Sequence, residues 1–186
     1  GGTASGMTDS KLPDGQAGAE KALNHALVGN AGANMIYESA GMHASLLGFS
    51  LESLVIDNDI IGATQRTIKG IEVNDERLSF ETIKDVCLNG PGHFLGSDQT
   101  LQLMQTEYLY PGVGDRKSPN EWNEQGALDV AQRAMAKVEE VLGHHFPSHV
   151  AEAVDAEIRR RFPVKLDRAH MLPPVDSAAA RRVGSR

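Results

Sequence analysis

The sequence predicts an α/β fold built on a parallel-sheet repeat, and three observations predict it. A short apolar run, Ala33 to Tyr37, lies between Gly32 and Gly41 and suits a buried strand better than a helix. Before it, Asp14 is placed to cap a helix over 15–28, with Ala19, Ala22, Leu23, Ala26 and Leu27 at helical spacing and Gly29 as the stop. After it, Ser50 caps a second helix over 51–70, whose stripe is Leu51, Leu54, Val55, Ile61, Ile68 and Ile71. Helix, strand and helix in that order form half of a parallel-strand unit, in which the segments entering each helix gather at the carboxyl ends of the strands.

The elements are expected in chain order as follows. Gly1 to Gly6 reads as small and flexible, and Met7 to Pro13 as a polar loop entering the first helix. Since the chain opens in what reads as a βα loop and offers one convincing strand, we expect the C-terminal part of a larger α/β domain, with strand 33–37 unpaired within the chain. The segment 41–48 is expected as loop or short helix. Asn58, on the apolar face of the second helix, is expected to be buried with a partner. From Ser79 the pattern is helical to residue 162. Ser79 caps a helix with Phe80, Ile83 and Cys87 inward, and Ser97 caps one with Leu101, Met104 and Tyr108 inward. Ser118-Pro119-Asn120-Glu121 is a capping box. Leu128, Ala131, Met135, Val138 and Leu142 form the clearest stripe, ended by Gly143. Ser148 opens a last helix, with Ala151, Val154, Ile158 and Phe162 as its stripe. The expected division is a first part over 1–78, a helical extension over 79–163, and a flexible tail over 164–186.

Composition narrows the function classes. In 186 residues, 40% are hydrophobic and 23% charged, so the chain is of the globular class. A net charge of −7 argues against general nucleic-acid binding, which draws on Lys and Arg. No apolar run is long enough to span a bilayer. Cys87 is the only cysteine, which fits a reducing, cytoplasmic setting. It reads as packing, not as a nucleophile. His144, His145 and His149 are spaced suggestively, but Pro147 breaks the helix that would align them, so no metal site is assigned.

Two segments converge on the expected mouth. Glu38 ends the strand beside Tyr37, and His43 follows in the next loop; a carboxylate and a ring there could hold a cationic ligand. The plainer alternative is a Glu38 that pairs with a cation on another strand and a His43 that is an ordinary loop residue. Thr8-Asp9-Ser10-Lys11 is either turn chemistry or part of the same mouth. His93 stands among the glycines of 90–96, where a close approach to a ligand and a tight connection are both open readings.

Longer stretches carry a resemblance. Ser5 to Gly18, Gly32 to Tyr37, Leu54 to Ile60, Gly92-His93-Phe94-Leu95, Thr100-Leu101, Asp115-Arg116 and Trp122 together resemble the trimethylamine methyltransferase family of corrinoid-dependent enzymes. The resemblance implies the C-terminal portion of a (β/α)8 TIM-type barrel followed by a mainly helical extension. It implies methyl transfer from a methylated amine to the Co(I) corrinoid of a cognate partner protein, with no cofactor bound directly by this chain and a homo-oligomer compatible. Where the family's archaeal trimethylamine enzymes read pyrrolysine, the alignment falls at about Met7, an ordinary residue. That is similar to the pyrrolysine-lacking branch, which includes glycine betaine demethylases. On this footing Glu38, His43 and Asp9 are the candidate catalytic residues, and Met7, Thr8, Tyr37 and His93 the candidate substrate contacts. A non-catalytic quaternary-amine binding protein on the same barrel is the alternative.

Overall fold

The computed structural model describes residues 1–147 and 149–173, and the chain divides into two compact units, Gly1–Ala134 and the part from Met135 onward. In the first unit, strand β1 (Gly2–Ala4) leads through a loop into helix α1 (Gly15–Asn30), which returns to strand β2 (Met35–Tyr37). The strands pair in parallel, with Gly2 opposite Met35, Thr3 opposite Ile36 and Ala4 opposite Tyr37. This corrects two expectations. Residues 2–4 are a strand, and the second strand has a partner within the chain along one edge. Glycine and alanine carry no β signal; Gly2 extends because the ladder to Met35 supplies its hydrogen bonds. Beyond β2, the segment 41–48 is neither loop alone nor helix: β3 (Met42–His43) and β4 (Gly48–Phe49) form a small antiparallel hairpin.

Helix α2 (Leu51–Lys69) packs against α1. Asp14 and Ser50 accept from Ala17 N and Ser53 N as N-caps, so both starts follow the sequence signals. The packed faces do not. On α1 the buried positions are Ala17, Lys21, His25 and Gly29, spaced by four, whereas Leu23 and Leu27 are 60% and 62% exposed. On α2 the buried residues are Ser53 and Asp57, and Asn58 is exposed. The fully buried positions of the seam are thus polar or small, while Leu23 and Leu27 of α1 and Leu51 and Leu54 of α2 are exposed. Gly29 belongs to the seam for a steric reason: a Cβ there would stand 2.4 Å from Ile68 Cδ1.

Helices α3 (Asp75–Leu78), α4 (Phe80–Leu88), α5 (Asp98–Thr106) and α6 (Pro119–Glu124) follow, and no strand occurs after residue 49 among the described residues. Asn74 caps α3, a helix the sequence reading did not contain. Ser79 sits at the start of α4 with φ 57° and makes no side-chain cap, so its expected role is corrected. Ser97 caps α5, and the capping box at Ser118 and Glu121 is formed on both sides. Val86 is the buried residue of α4, whereas Phe80, Ile83 and Cys87 are exposed; Leu101 and Tyr108 are exposed as well.

Two carboxylates tie these helices to α2. Glu107 pairs with Arg66 at 2.7 Å, Arg77 at 3.1 Å and Lys69 at 3.6 Å. Burial raises its pKa, and Lys69, Arg77 and Arg66 more than offset that, leaving it lowered. Asp59 accepts the amides of Gly112, Val113 and Gly114 at 2.8, 2.8 and 3.0 Å, and Val113 O in turn accepts from Arg133 Nε at 2.7 Å.

Helix α7 (Val130–His144) crosses the division between the units, with Ala134 and Val138 buried and Met135 and Leu142 exposed. In the second unit α8 (Glu152–Arg161) ends ahead of Pro163 with Arg159 on Asp155 and Arg160 and Arg161 on Glu157. Val154, Ile158 and Phe162 are exposed. The expected cap Ser148 lies outside the described residues, as does the expected tail from residue 174; before it, Arg168–Met171 form a 3-10 turn. No described helix is long and apolar enough to cross a membrane.

Asp59 is the testable link. Asp59→Ala should leave three loop amides without their acceptor and cost about 1–3 kcal/mol of stability. Amide exchange at 112–114 should accelerate in the same variant; unchanged exchange there would show that the loop is held by other contacts.

Candidate functional site

Both segments that follow the carboxyl ends of β1 and β2 meet, as the parallel repeat requires. Ala44 N donates to Ser10 O at 3.0 Å and Ser45 N to Thr8 O at 3.2 Å, so the second loop lies along the first. The join depends on a left-handed turn at Ala44, Ser45 and Leu46, with φ of 49°, 52° and 72°. Ser45 Oγ completes it by donating to Asp9 Oδ1. Three consecutive non-glycine residues in that region are unfavourable in isolation, and the inter-loop bonds hold them there.

Between these loops and α1 lies an open cavity of about 370 Å³, lined by Met7, Thr8, Asp9, Glu20, Asn24, Ser45 and Leu46. Its charged lining is two carboxylates, with no Lys, Arg or His. Glu20 accepts Thr8 Oγ1 at 2.5 Å, Asp9 N at 3.0 Å and Gln16 Nε2 at 2.9 Å. Those donors, Thr8 first, lower its pKa below the ordinary 4.5. Lys11 turns its ammonium to Asp9 O at 2.8 Å.

Underneath, a buried polar layer fixes the loops. Lys21 Nζ donates to Asp57 Oδ2 at 2.6 Å, and Gly41 N donates to the same oxygen at 2.7 Å. Gly41 has φ 80°, and a Cβ there would stand 2.4 Å from the Phe49 ring. His43 is buried; its Nδ1–H donates to Ser10 O at 3.0 Å, and its Nε2 accepts the Ser53 hydroxyl at 2.5 Å. His25 Nε2–H donates to Ser39 O at 2.9 Å, and burial lowers its pKa from 6.5. The ring crosses so close to Gly6, at φ 91°, that a Cβ on Gly6 would stand 2.4 Å from His25 Cε1.

The structure thus brings Met7, Thr8 and Asp9 together at the cavity. Tyr37 lies instead on the open face of the sheet, 49% exposed, on the same side as Met35 and Gly2. Glu38 follows it, exposed and with φ 61°. His43 stands below the mouth with both ring nitrogens engaged, and His93 is exposed between α4 and α5, outside the cavity lining. Sequence reading missed Glu20, Asn24, Ser45 and Leu46. Glu20 had a signal available, being six residues past the Asp14 cap and so on the helix face nearest the incoming loop; the left-handed turn at 44–46 had none.

Comparison with known proteins decides the family. A family profile described as trimethylamine methyltransferase (MTTB) matches residues 2–166. The chain belongs to that family. It is 39% identical over 165 residues to trimethylamine methyltransferase MttB1 of Methanosarcina acetivorans, covering 87% of this chain and 31% of that protein. It is 35% identical over 156 residues to trimethylamine methyltransferase MttB of Desulfitobacterium hafniense, 84% of this chain and 31% of that one. To the glycine betaine methyltransferase of Desulfitobacterium hafniense it is 28% identical over 155 residues, covering 83% and 32%. The chain therefore spans about a third of the length of the curated relatives it matches.

The Glu20 clasp carries a pH signature. Its folded pKa is depressed, so its contribution is present above the unfolded value near 4.5 and is lost as pH falls through the lower folded value. Denaturation curves of wild type and Glu20→Gln should therefore differ above pH 4.5 and converge in stronger acid. A difference that persists unchanged in acid would mean that the carboxylate charge is not what fastens the loop.

Proposed function

We propose that this chain carries the substrate mouth, and a β1–α1–β2 portion of a (β/α)8 barrel, of a cytoplasmic methyltransferase that moves a methyl group from a methylated amine to the corrinoid of a partner protein. Family membership supports the reaction class. The observation that carries the amine is the cavity between the two βα loops, whose charged lining is Asp9 and Glu20 alone. Its size suits a small methylated amine and is too small to enclose a corrinoid, which fits a corrinoid presented from the open side by its carrier. That group supplies a low-valent cobalt nucleophile, so the hard chemistry lies with the cofactor.

What remains for the residues of this chain is placement and charge. Asp9 and Glu20 favour a cation in the cavity, and Met7 presents an apolar, polarisable side chain to its methyl groups. The positive charge disappears when a quaternary nitrogen gives up a methyl group as a neutral amine, so a strong cation trap would hold the ground state and slow transfer. Both carboxylates are already engaged, Glu20 by three donors and Asp9 by Ser45, and their pull is moderated accordingly. The remaining effect is orientation for in-line attack, which is where a site of this kind gains most. Tyr37 and Glu38 extend the same end of the sheet, where the ring face and the exposed carboxylate would meet the substrate from the barrel side. His43 serves by holding Ser10 to α2, and His93 would reach the rim from the helical extension.

The substrate class we assign is a quaternary amine, with glycine betaine the first to test. A quaternary nitrogen leaves without being protonated, so the ordinary residue Met7 suffices where the family's trimethylamine enzymes use pyrrolysine. The outward-facing aliphatic residues of α1 and α2 are surfaces for the rest of the full-length protein to cover.

The test mixes the full-length protein with a reduced corrinoid carrier and candidate amines and follows the cobalt spectrum. Methylation dependent on a quaternary amine is expected. Glu38→Gln keeps shape and removes charge, and should slow that reaction severalfold with little change in melting temperature. Amine binding without any transfer would favour the non-catalytic binding protein, and unaltered kinetics in the variant would remove Glu38 from the site.

A further inference from the structure

The most deeply buried charges in the described chain are not at the mouth but beneath it. Lys21 and Asp57 have side chains 1% and 2% exposed and meet at 2.6 Å. A buried ion pair is a poor means of stabilisation, because desolvation consumes most of the attraction and an apolar pair of similar size commonly does as well. Its geometry accounts for it differently. The oxygen of Asp57 that receives Lys21 also receives the amide of Gly41 at 2.7 Å. Gly41 immediately precedes β3, where the chain turns into the β3–β4 hairpin, with a positive φ and close packing on Phe49.

The neighbour of Lys21 on α1 completes the arrangement. Glu20 fastens Thr8 and Asp9 of the first loop, and Lys21, through Asp57, fastens Gly41 of the second. Two consecutive residues of one helix therefore set the two walls of the cavity against each other. We propose that the Lys21–Asp57 pair is a positioning device that fixes the 38–46 loop relative to the 5–11 loop, and so sets how the amine is aligned. This rests on the mouth being the amine site. Displacement of the second wall would move Ser45 and Leu46 away from Asp9, and a misplacement of about 1 Å in a site that works by alignment costs about a hundredfold in rate.

Full-length Lys21→Met/Asp57→Leu, which replaces the pair by apolar side chains, and Lys21→Met/Asp57→Asn, which removes both charges and keeps an acceptor for Gly41, make the test; neither leaves a buried charge without its partner. The apolar double variant should fold, with a melting temperature lowered by no more than the lost Gly41 bond accounts for. Its amides over 38–46 should exchange about tenfold faster while those of α1 do not, and its kcat/KM for the amine should fall by about a hundredfold, mostly in kcat. Lys21→Met/Asp57→Asn should recover part of both. Wild-type exchange at 38–46 together with wild-type kcat and KM in the apolar double variant would overturn the proposal. Should the apolar double variant fail to fold, Lys21→Met/Asp57→Asn decides: faster exchange confined to 38–46 supports positioning, and a uniform rise through α1 and α2 refutes it. If the wild-type protein itself moves no methyl group, the function proposed above fails, and the exchange pattern alone then judges the clamp.

Discussion

The constraint on which the rest of this structure depends is a polar helix seam. Helices α1 and α2 meet through Lys21, His25, Ser53 and Asp57, all buried: Lys21 bonds Asp57 directly, and Asp57, His25 and Ser53 each bond a group of the segment between β2 and α2. An apolar seam tolerates a shift of register, since one aliphatic contact replaces another. This one does not: sliding α1 by a turn would separate Lys21 from Asp57 and His25 from Ser39 O at once. Removing one partner of a buried ion pair costs about 3–5 kcal/mol. Register of the helices and position of the loops are therefore one quantity, and the cavity at the mouth inherits its dimensions from it.

That seam also explains which features were legible in the sequence. Element type and most boundaries followed from local chemistry: Asp14, Ser50, Ser97 and the Ser118–Glu121 box cap the helices they announce, and β2 lies within the expected 33–37 run. Facing was not legible. Hydrophobic periodicity pointed α1 inward along Leu23 and Leu27, but those residues are exposed, because the buried stripe consists of a lysine, a histidine, an alanine and a glycine. No pattern based on apolar residues detects such a face. Strand β1 was hidden for a related reason: in Gly-Thr-Ala only Thr favours a strand, and the pairing with Met35–Tyr37 is a long-range fact.

The candidate site divides along the same line. Topology alone placed Thr8 and Asp9 beside the second loop, since both loops follow carboxyl ends of parallel strands. The residues supplied by that second loop were Ser45 and Leu46 and not Tyr37 or Glu38, because the β3–β4 hairpin carries the chain back over the first loop before α2 begins. His43 illustrates the consequence. A histidine in a βα loop invites a catalytic reading, yet the hairpin turns it downward, where the Ser10 carbonyl and the Ser53 hydroxyl take both nitrogens. Its buried bonds make it part of the frame.

The charge at the mouth closes the argument. Asp9 and Glu20 stand together without a lining cation, which a cavity for an anion would not tolerate. Both are nevertheless restrained by neutral donors, Thr8, Gln16, Ser45 and a backbone amide, and not by Lys or Arg. A neutral donor orients a carboxylate while leaving its net charge to act at a distance; an ion pair would cancel it. A binding protein gains from the full attraction of a free carboxylate. A transferase whose substrate loses its charge in the reaction gains from a moderated one, since every increment of ground-state attraction that fades along the reaction coordinate is added to the activation barrier. Restraint by neutral donors is thus the electrostatic arrangement that the proposed transfer would use, and it is supplied by Thr8, the Asp9 amide and Ser45 of the two loops together with Gln16 of α1.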